Sequence, residues 1–256
     1  MSSVNFSIDG AVGVVSLAKP PHNLLDDALI RELLDVYRHA VESKCRAILL
    51  RSDMRHFCAG AEMQGFEDGR VEIQHNEKDL AEYLDVMENT PIPTVAAVNG
   101  GALGGGLELV MTCDMAIAAD TAYFGQVESM VGVLPLLGGT QRLVQRAGVV
   151  RAKEIAMIGR RFPPQAFEKW GIINHVVPEA ELQQASLSLA RQLASGPTKI
   201  LGGIKRLANI SAREGVEAAD AVQVETNRAV WDAKDRKRGL EAFVTTGPGT
   251  SIFEGD

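Results

Sequence analysis

The chain has 256 residues, of which 46% are hydrophobic and 23% charged, which fits a folded globular protein with a sizeable core rather than a disordered or fibrous one. A formal net charge of -7 argues against nucleic acid as the main partner. No stretch is long and apolar enough to span a bilayer, and Met1 to Phe6 carries neither a signal-peptide core nor an Arg-rich transit pattern, so no membrane partner and a cytoplasmic location are expected.

In chain order, Val4 to Ile8 and Val12 to Leu17 alternate in hydropathy around Asp9-Gly10 and predict two paired strands. Asp26 to Glu42 places apolar side chains at Leu29, Ile30, Leu33, Leu34, Val36, Tyr37 and Val41, the pattern of an amphipathic helix capped by Asp26. A short apolar strand is predicted over Ala47 to Leu50, a helix over Asp79 to Glu88, and a buried strand over Thr94 to Val98. Between them, Gly65 to Gln74 is polar and reads as a loop over a site. A helix over Leu107 to Cys113 and a strand over Met115 to Ala118 follow. Repeated strand–turn–helix units imply a parallel sheet. From about Arg151 the pattern is mainly helical: Glu154 to Ile158, Gln165 to Trp170, Glu179 to Leu193, Lys199 to Ile210 and Val216 to Ala233, with one strand over Ile172 to Val177. The mixed charges of Asp232 to Arg238 read as a solvated helix face.

The chemistry gathers at the turns. Asn99-Gly100-Gly101-Ala102-Leu103-Gly104-Gly105-Gly106-Leu107-Glu108-Leu109 leads from a strand into a helix, with a carboxylate one turn inside. Glycines permit close approach to the backbone. Unpaired N–H groups at a helix start stabilise negative charge, which suits a carbonyl oxygen that becomes an oxyanion. The spacing is not that of a dinucleotide-binding turn, because Leu109 occupies the third glycine position counted from Gly104. Nor is it a phosphate loop, which needs Lys and Ser or Thr after its last glycine. A tight strand-to-helix packing contact is the competing reading.

The second turn, His56-Phe57-Cys58-Ala59-Gly60-Ala61-Glu62-Met63, also follows a predicted strand. Two such turns can each lend one N–H to a shared oxygen at the carboxyl ends of parallel strands. A third segment, Ala122 to Glu128, adds another carboxylate, and Gly138-Gly139-Thr140-Gln141-Arg142-Leu143 opens a further helix. Cys45, Cys58 and Cys113 have no metal-ligand spacing, and the five histidines are scattered, so no metal is expected.

Taken jointly, F-C-A-G-A-E (Phe57 to Glu62), A-A-V-N-G-G-A-L-G-G-G-L-E-L (Ala96 to Leu109), F-G-Q-V-E (Phe124 to Glu128), G-G-T-Q-R-L (Gly138 to Leu143) and D-R-K-R-G-L-E-A-F (Asp235 to Phe243) resemble the crotonase superfamily, and enoyl-CoA hydratases within it. The resemblance implies an α/β fold, a crotonase-like spiral of β-β-α units over residues 1–195, with a C-terminal helical region over 196–256 that builds trimer contacts and is not an independent domain. It implies an acyl-CoA thioester substrate, no cofactor beyond the CoA carried by that substrate, and a homotrimer or dimer of trimers. Apolar stripes through Leu182, Leu187, Leu189, Leu193, Val216, Val222 and Val224 fit such an assembly.

By the same resemblance, Ala61 and Gly105 donate the oxyanion-hole N–H groups, and Glu108 and Glu128 are the catalytic carboxylates. Glu108 is assigned to the water and Glu128 to the α-carbon proton. Ala59, Glu62, Met63, Gln64 and Leu136 are the expected substrate-binding residues. The sequence departs from the family at three places: Leu136-Leu137 replace small residues, Glu62 replaces the usual Asp, and Gln64 replaces a basic residue expected near the CoA phosphates. Arg55 or the run Lys234 to Arg238 are substitutes for that basic residue. The alternatives are a double-bond isomerase, which needs only the Glu128-type carboxylate, and a non-catalytic crotonase-like binding protein.

Overall fold

The computed structural model describes residues 2–63 and 77–256. Gln64 and the predicted loop over Gly65 to Gln74 lie outside the described residues.

The first strands, β1 (Val4–Asp9) and β2 (Val12–Leu17), form the expected antiparallel hairpin, with Val4 opposite Leu17 and Asp9 opposite Val12. Helix α1 (Asp27–Glu42) starts where Asp26, in extended conformation, accepts a hydrogen bond from the Leu29 N–H. Its apolar stripe buries Leu29, Ile30, Leu33, Leu34, Tyr37 and Ala40. Then come β3 (Ala47–Ser52), α2 (Glu77–Asn89), β4 (Thr94–Val98), β5 (Gly101–Leu103), α3 (Gly105–Thr112), β6 (Met115–Ala119) and β7 (Tyr123–Gly125). A 3₁₀ turn covers Glu128–Val131. The remaining elements are α4 (Gly139–Ile158), α5 (Pro164–Lys169), β8 (His175–Val177), α6 (Leu182–Ser195), α7 (Thr198–Glu214), α8 (Val216–Trp231) and α9 (Lys234–Thr245).

The large sheet has the order β1-β2-β3-β4-β6-β8, and every pairing after the first is parallel. A second, smaller layer pairs β5 with β7 in parallel. Isolated bridges extend it: Cys58 with Ala102 on one side, and Phe124 with Phe162 on the other. Each turn of the chain thus lays one segment in the large sheet and the next in the small one, which is a spiral of β-β-α units. The strands β2 and β4 are buried along their whole length, as a strand covered on both faces should be. Phe124 stacks on Phe167 with ring centroids 4.7 Å apart in the core beneath the small layer.

Four local expectations change. The glycine-rich stretch is not all turn, because Gly101 to Leu103 pairs as β5. Gly101 serves that strand by leaving room for Tyr123, whose ring would lie 2.8 Å from a β-carbon there. The helix expected over Glu154 to Ile158 is the end of α4, which runs from Gly139 and is interrupted only at Gly148, at φ 78° and ψ 164°. The strand expected over Ile172 to Val177 shortens to β8, with Ile172 and Ile173 buried before it. The stripe Leu182, Leu187, Leu189 and Leu193 is not spare surface. It packs α6 against β3, β4 and β6 within the same chain.

The charged run Asp232 to Arg238 is also more than a solvated face. Asp235 is buried and accepts the N–H groups of Glu254 and Gly255 at 2.8 and 2.7 Å. Arg238 pairs with Asp235 and Asp256, and Lys234 with Asp256, so the C-terminal segment is clasped to the start of α9. Those amides and Arg238 hold the Asp235 carboxyl below the usual range despite its burial.

Candidate active site

Two turns meet at the carboxyl ends of β3 and β4. The first is tied down by Asn23, which adopts φ 53° and donates from its amide to the Phe57 carbonyl at 2.9 Å and to Ser52 Oγ at 2.8 Å. Beyond it, Leu25 bridges Ala61 in parallel fashion: the Leu25 N–H donates to Gly60 O, and the Glu62 N–H donates to Leu25 O, both at 2.9 Å. In that pattern the N–H of Ala61 turns away from Leu25. The second turn ends at Gly104, at φ 52°, whose N–H is consumed by Gly125 O at 2.8 Å. The first bond of α3 runs from the Glu108 N–H to Gly104 O at 3.0 Å, so the Gly105 N–H has no partner within the helix. Ala61 and Gly105 both line one cavity of about 520 Å³.

The glycines are dictated by contact. A β-carbon on Gly106 would lie 2.2 Å from Cys58 O, and one on Gly105 would lie 2.7 Å from Leu25 Cδ1. Leu25 therefore touches both turns and fixes their spacing.

Glu108 is one turn into α3 and 1% exposed. Its Oε1 accepts two backbone hydrogen bonds, from Leu137 at 2.9 Å and Gly139 at 2.7 Å. Gly139 is the N-terminal residue of α4, and a β-carbon there would meet Glu108 Oε1 at 2.9 Å. The Oε2 atom is left on the Gly105 side. Burial pushes this carboxyl up to about 7, and the neighbouring Glu128 adds to the rise. The two amides and Arg142 pull the other way.

Glu128 begins the 3₁₀ turn. Its Oε1 accepts from Gln126 Nε2 at 2.7 Å, and its Oε2 is buried with no hydrogen-bond partner among the described residues. Burial raises this carboxyl too, while its own turn amides and Gln126 lower it. The carboxylate lies over Gly104, where a β-carbon would sit 3.0 Å from Oε1. Among the described residues, each glutamate thus has one oxygen that accepts hydrogen bonds and one with no hydrogen-bond partner.

The cavity that both carboxylates line is otherwise mostly apolar, with Ile30, Val131, Val133 and Leu137 in its wall. Of the expected substrate-binding residues, Ala59, Met63 and Leu136 line it. Glu62 does not. It faces Lys19 at 3.5 Å, which also holds Asp26 at 2.6 Å. Gln126 went unrecognised in the sequence. It is fully buried and links the strand β7 to Glu128, and nothing in its spacing signals that role. Basic groups gather at one rim: the His22 and His56 rings are 5.3 Å apart, His56 faces Tyr123, and Arg161 lies over Tyr123 at 4.9 Å. His56 also ties the two turns together, since its Nδ1 accepts the Gly101 N–H at 3.2 Å. Burial, then His22, Arg55 and Arg161, depress its basicity.

A spiral α/β fold with two small-residue turns and two facing carboxylates defines a crotonase-type enzyme. The family model for enoyl-CoA hydratase/isomerase matches residues 7–250, and the chain belongs to that family. A probable enoyl-CoA hydratase of Rhizobium meliloti is 35% identical over 92% of this chain and 92% of its own length. A probable mitochondrial enoyl-CoA hydratase of Dictyostelium discoideum is 33% identical over 92% of this chain and 85% of its own length. The crystal structure of an enoyl-CoA hydratase from Bacillus anthracis superimposes with a TM-score of 0.87 at 29% identity, covering 100% of both chains. Because a relative is mitochondrial, family membership does not fix a compartment. Among the described residues no helix is long and apolar enough to cross a membrane, and no cluster of potential metal ligands occurs.

Proposed function

We propose that this enzyme adds water reversibly across the double bond of a 2-enoyl-CoA thioester. The observation that carries the reading is the pair of glutamates, each held through one oxygen, with the other oxygen left without a partner among the described residues, beside the two turn amides. An isomerase has work for one such carboxylate. Adding water needs one proton removed and one delivered, and two carboxyls in different environments divide those tasks.

In the proposed reaction the thioester carbonyl oxygen accepts hydrogen bonds from the N–H groups of Ala61 and Gly105. These polarise the conjugated system and stabilise the enolate that forms. Glu108 Oε2 takes a proton from water as its oxygen bonds to the β-carbon. Glu128 Oε2 delivers a proton to the α-carbon as the enolate collapses. Dehydration runs the same steps backwards, with Glu108 as acid and Glu128 as base. Since Glu108 is raised to about 7, the free site near neutral pH readily holds a proton there, the state from which dehydration starts. These steps use backbone amides and proton transfer alone.

Arg161, which lines the cavity, and Arg55, which acts on the neighbouring His56, supply positive charge for the CoA phosphates, since Gln64 carries none to offer them. We further propose a homotrimer or dimer of trimers, with residues 196–256 among its contacts. Support comes from apolar side chains left exposed on the 3₁₀ turn and α4, including Met130 at 72% and Val150 at 80%, and from Val216, Val224 and Phe243 in the C-terminal helices. A stable monomer in light scattering at micromolar concentration would contradict the assembly. For the activity, the enzyme mixed with a conjugated 2-enoyl-CoA should bleach its absorbance through hydration. Binding without bleaching would favour a non-catalytic protein.

A further inference from the structure

Behind Glu108, on the side away from the cavity, lies a buried ion pair with no assigned role. Arg142, in the first turn of α4, and Glu88, at the end of α2, have side chains 8% and 13% exposed and pair through Arg142 Nη2. Arg142 Nη1 donates to Gly138 O at 3.2 Å, as does its own backbone N–H. Gly138, at φ 85°, is the residue between the two whose amides hold Glu108 Oε1. A continuous chain of contacts therefore runs from α2 through Glu88 and Arg142 to Gly138, and from the Leu137 and Gly139 amides to Glu108.

We propose that the Arg142–Glu88 pair is a positioning device for the reaction: it fixes the Gly138 carbonyl, and through it the two amides that aim Glu108 at the water. Neither residue lies along the cavity wall. The inference rests on the hydratase reading for its kinetic consequence, but not for its placement. The pair has an electrical effect as well. The groups that bear on Glu108 are Glu128 from the 3₁₀ turn, Tyr83 from α2, Cys58 from the turn after β3, and Arg142 from α4. Burial keeps Tyr83 and Cys58 neutral at ordinary pH, with the thiol raised to about 12. Glu128 and Arg142 thus set the local field, with Glu88 offsetting Arg142 and Arg146 beside both.

Glu88→Gln, which keeps shape and removes the anion, reads the electrical coupling of the pair to Glu108, and the kcat of charge-conserving variants reads the positioning. Arg142, less compensated, then favours ionised Glu108 more strongly, and the midpoint of Glu108 should fall by about one pH unit. The readout is the carbon-13 NMR titration of side-chain-labelled glutamate in the free full-length protein, with the Glu108 signal assigned by its loss in Glu108→Gln. Arg142→Lys retains the charge but not the fork that serves Gly138 and Glu88 together, so it should keep the midpoint and lower kcat roughly tenfold with KM unchanged. Glu88→Asp should likewise keep the midpoint, and these two variants decide the matter if Glu88→Gln does not fold. An unmoved midpoint in Glu88→Gln, or wild-type kcat in Arg142→Lys and Glu88→Asp, would overturn the proposal. A wild-type protein that hydrates no enoyl-CoA would overturn the hydratase reading instead, and the NMR titration would still test the placement.

Discussion

The two carboxylates stand in opposite kinds of structure. Glu108 projects from a regular helix toward the start of another, with one amide donor, Gly139, in the first turn of that helix and the other, Leu137, in the bend that leads into it. Glu128 opens a single 3₁₀ turn whose next three residues are exposed, and one buried amide side chain is its partner. Under the proposed mechanism, the difference divides acid and base work within one site. The group enclosed by the fold is raised furthest, by desolvation and by its neighbour's charge, while the group at the turn stays closer to solvent and keeps more freedom to reach the substrate.

The largest effect that can break this comparison is on rate. Glu108→Gln and Glu128→Gln retain shape and lose proton exchange, so each should slow hydration by about 10²–10⁴-fold with acyl-CoA binding nearly intact. The comparison is wrong if Glu108→Gln is mild on a 3-enoyl-CoA isomerisation that the wild type performs well while Glu128→Gln is severe, because that pattern belongs to an isomerase.

Stability sharpens it next. The carboxyl of Glu108 goes from an ordinary value of 4.5 when unfolded to about 7 when folded. The folded state therefore binds the proton more tightly, and the native protein loses stability as pH rises from 4.5 through 7. Glu108→Gln removes that cost. It should stabilise the protein above pH 7, by up to about 3 kcal/mol, with the gain vanishing below about pH 4.5. Thermal melts of both Gln variants across this range should show the larger gain for Glu108. A gain that persists at pH 4, or a larger one for Glu128→Gln, would contradict the assignment of environments.

A smaller effect concerns Leu136, which lines the cavity that both carboxylates face. Leu136→Gly should redistribute relative rates among short and long 2-enoyl-CoA substrates by about 1–3 kcal/mol of discrimination. Unchanged ratios across a chain-length series would remove Leu136 from the acyl pocket.

The same contrast explains what was legible in the sequence. Regular elements carry their own signals: the Asp26 cap, the stripe of α1, and the glycines that place Gly105 and Glu108 on one face of α3. The turn amides were legible because Gly106 and the small residues around Gly60 have few uses besides close approach. Glu128 stood out in the sequence only as one more carboxylate, and its expected role came from resemblance alone, since a 3₁₀ turn has no hydrophobic period to register it. Gln126, Glu88 and Arg142 escaped because buried polar partners are set by long-range packing. The stripe of α6 was read as spare surface because periodicity shows that a face is apolar but not which surface covers it; here the covering surface is the chain's own sheet. Glu62, expected at the substrate, is instead engaged by Lys19 from the preceding loop.

The central claim is that Glu108 and Glu128 act together on a single water addition. The direct measurement is a double-mutant cycle: hydration of one 2-enoyl-CoA, followed by loss of its conjugated absorbance, for wild type, Glu108→Gln, Glu128→Gln and the double variant. Groups that act as a unit are non-additive, so the double variant should lose far less than the product of the two single losses. Near-wild-type hydration by both single variants, or losses that multiply in full, would contradict the shared role of the two carboxylates.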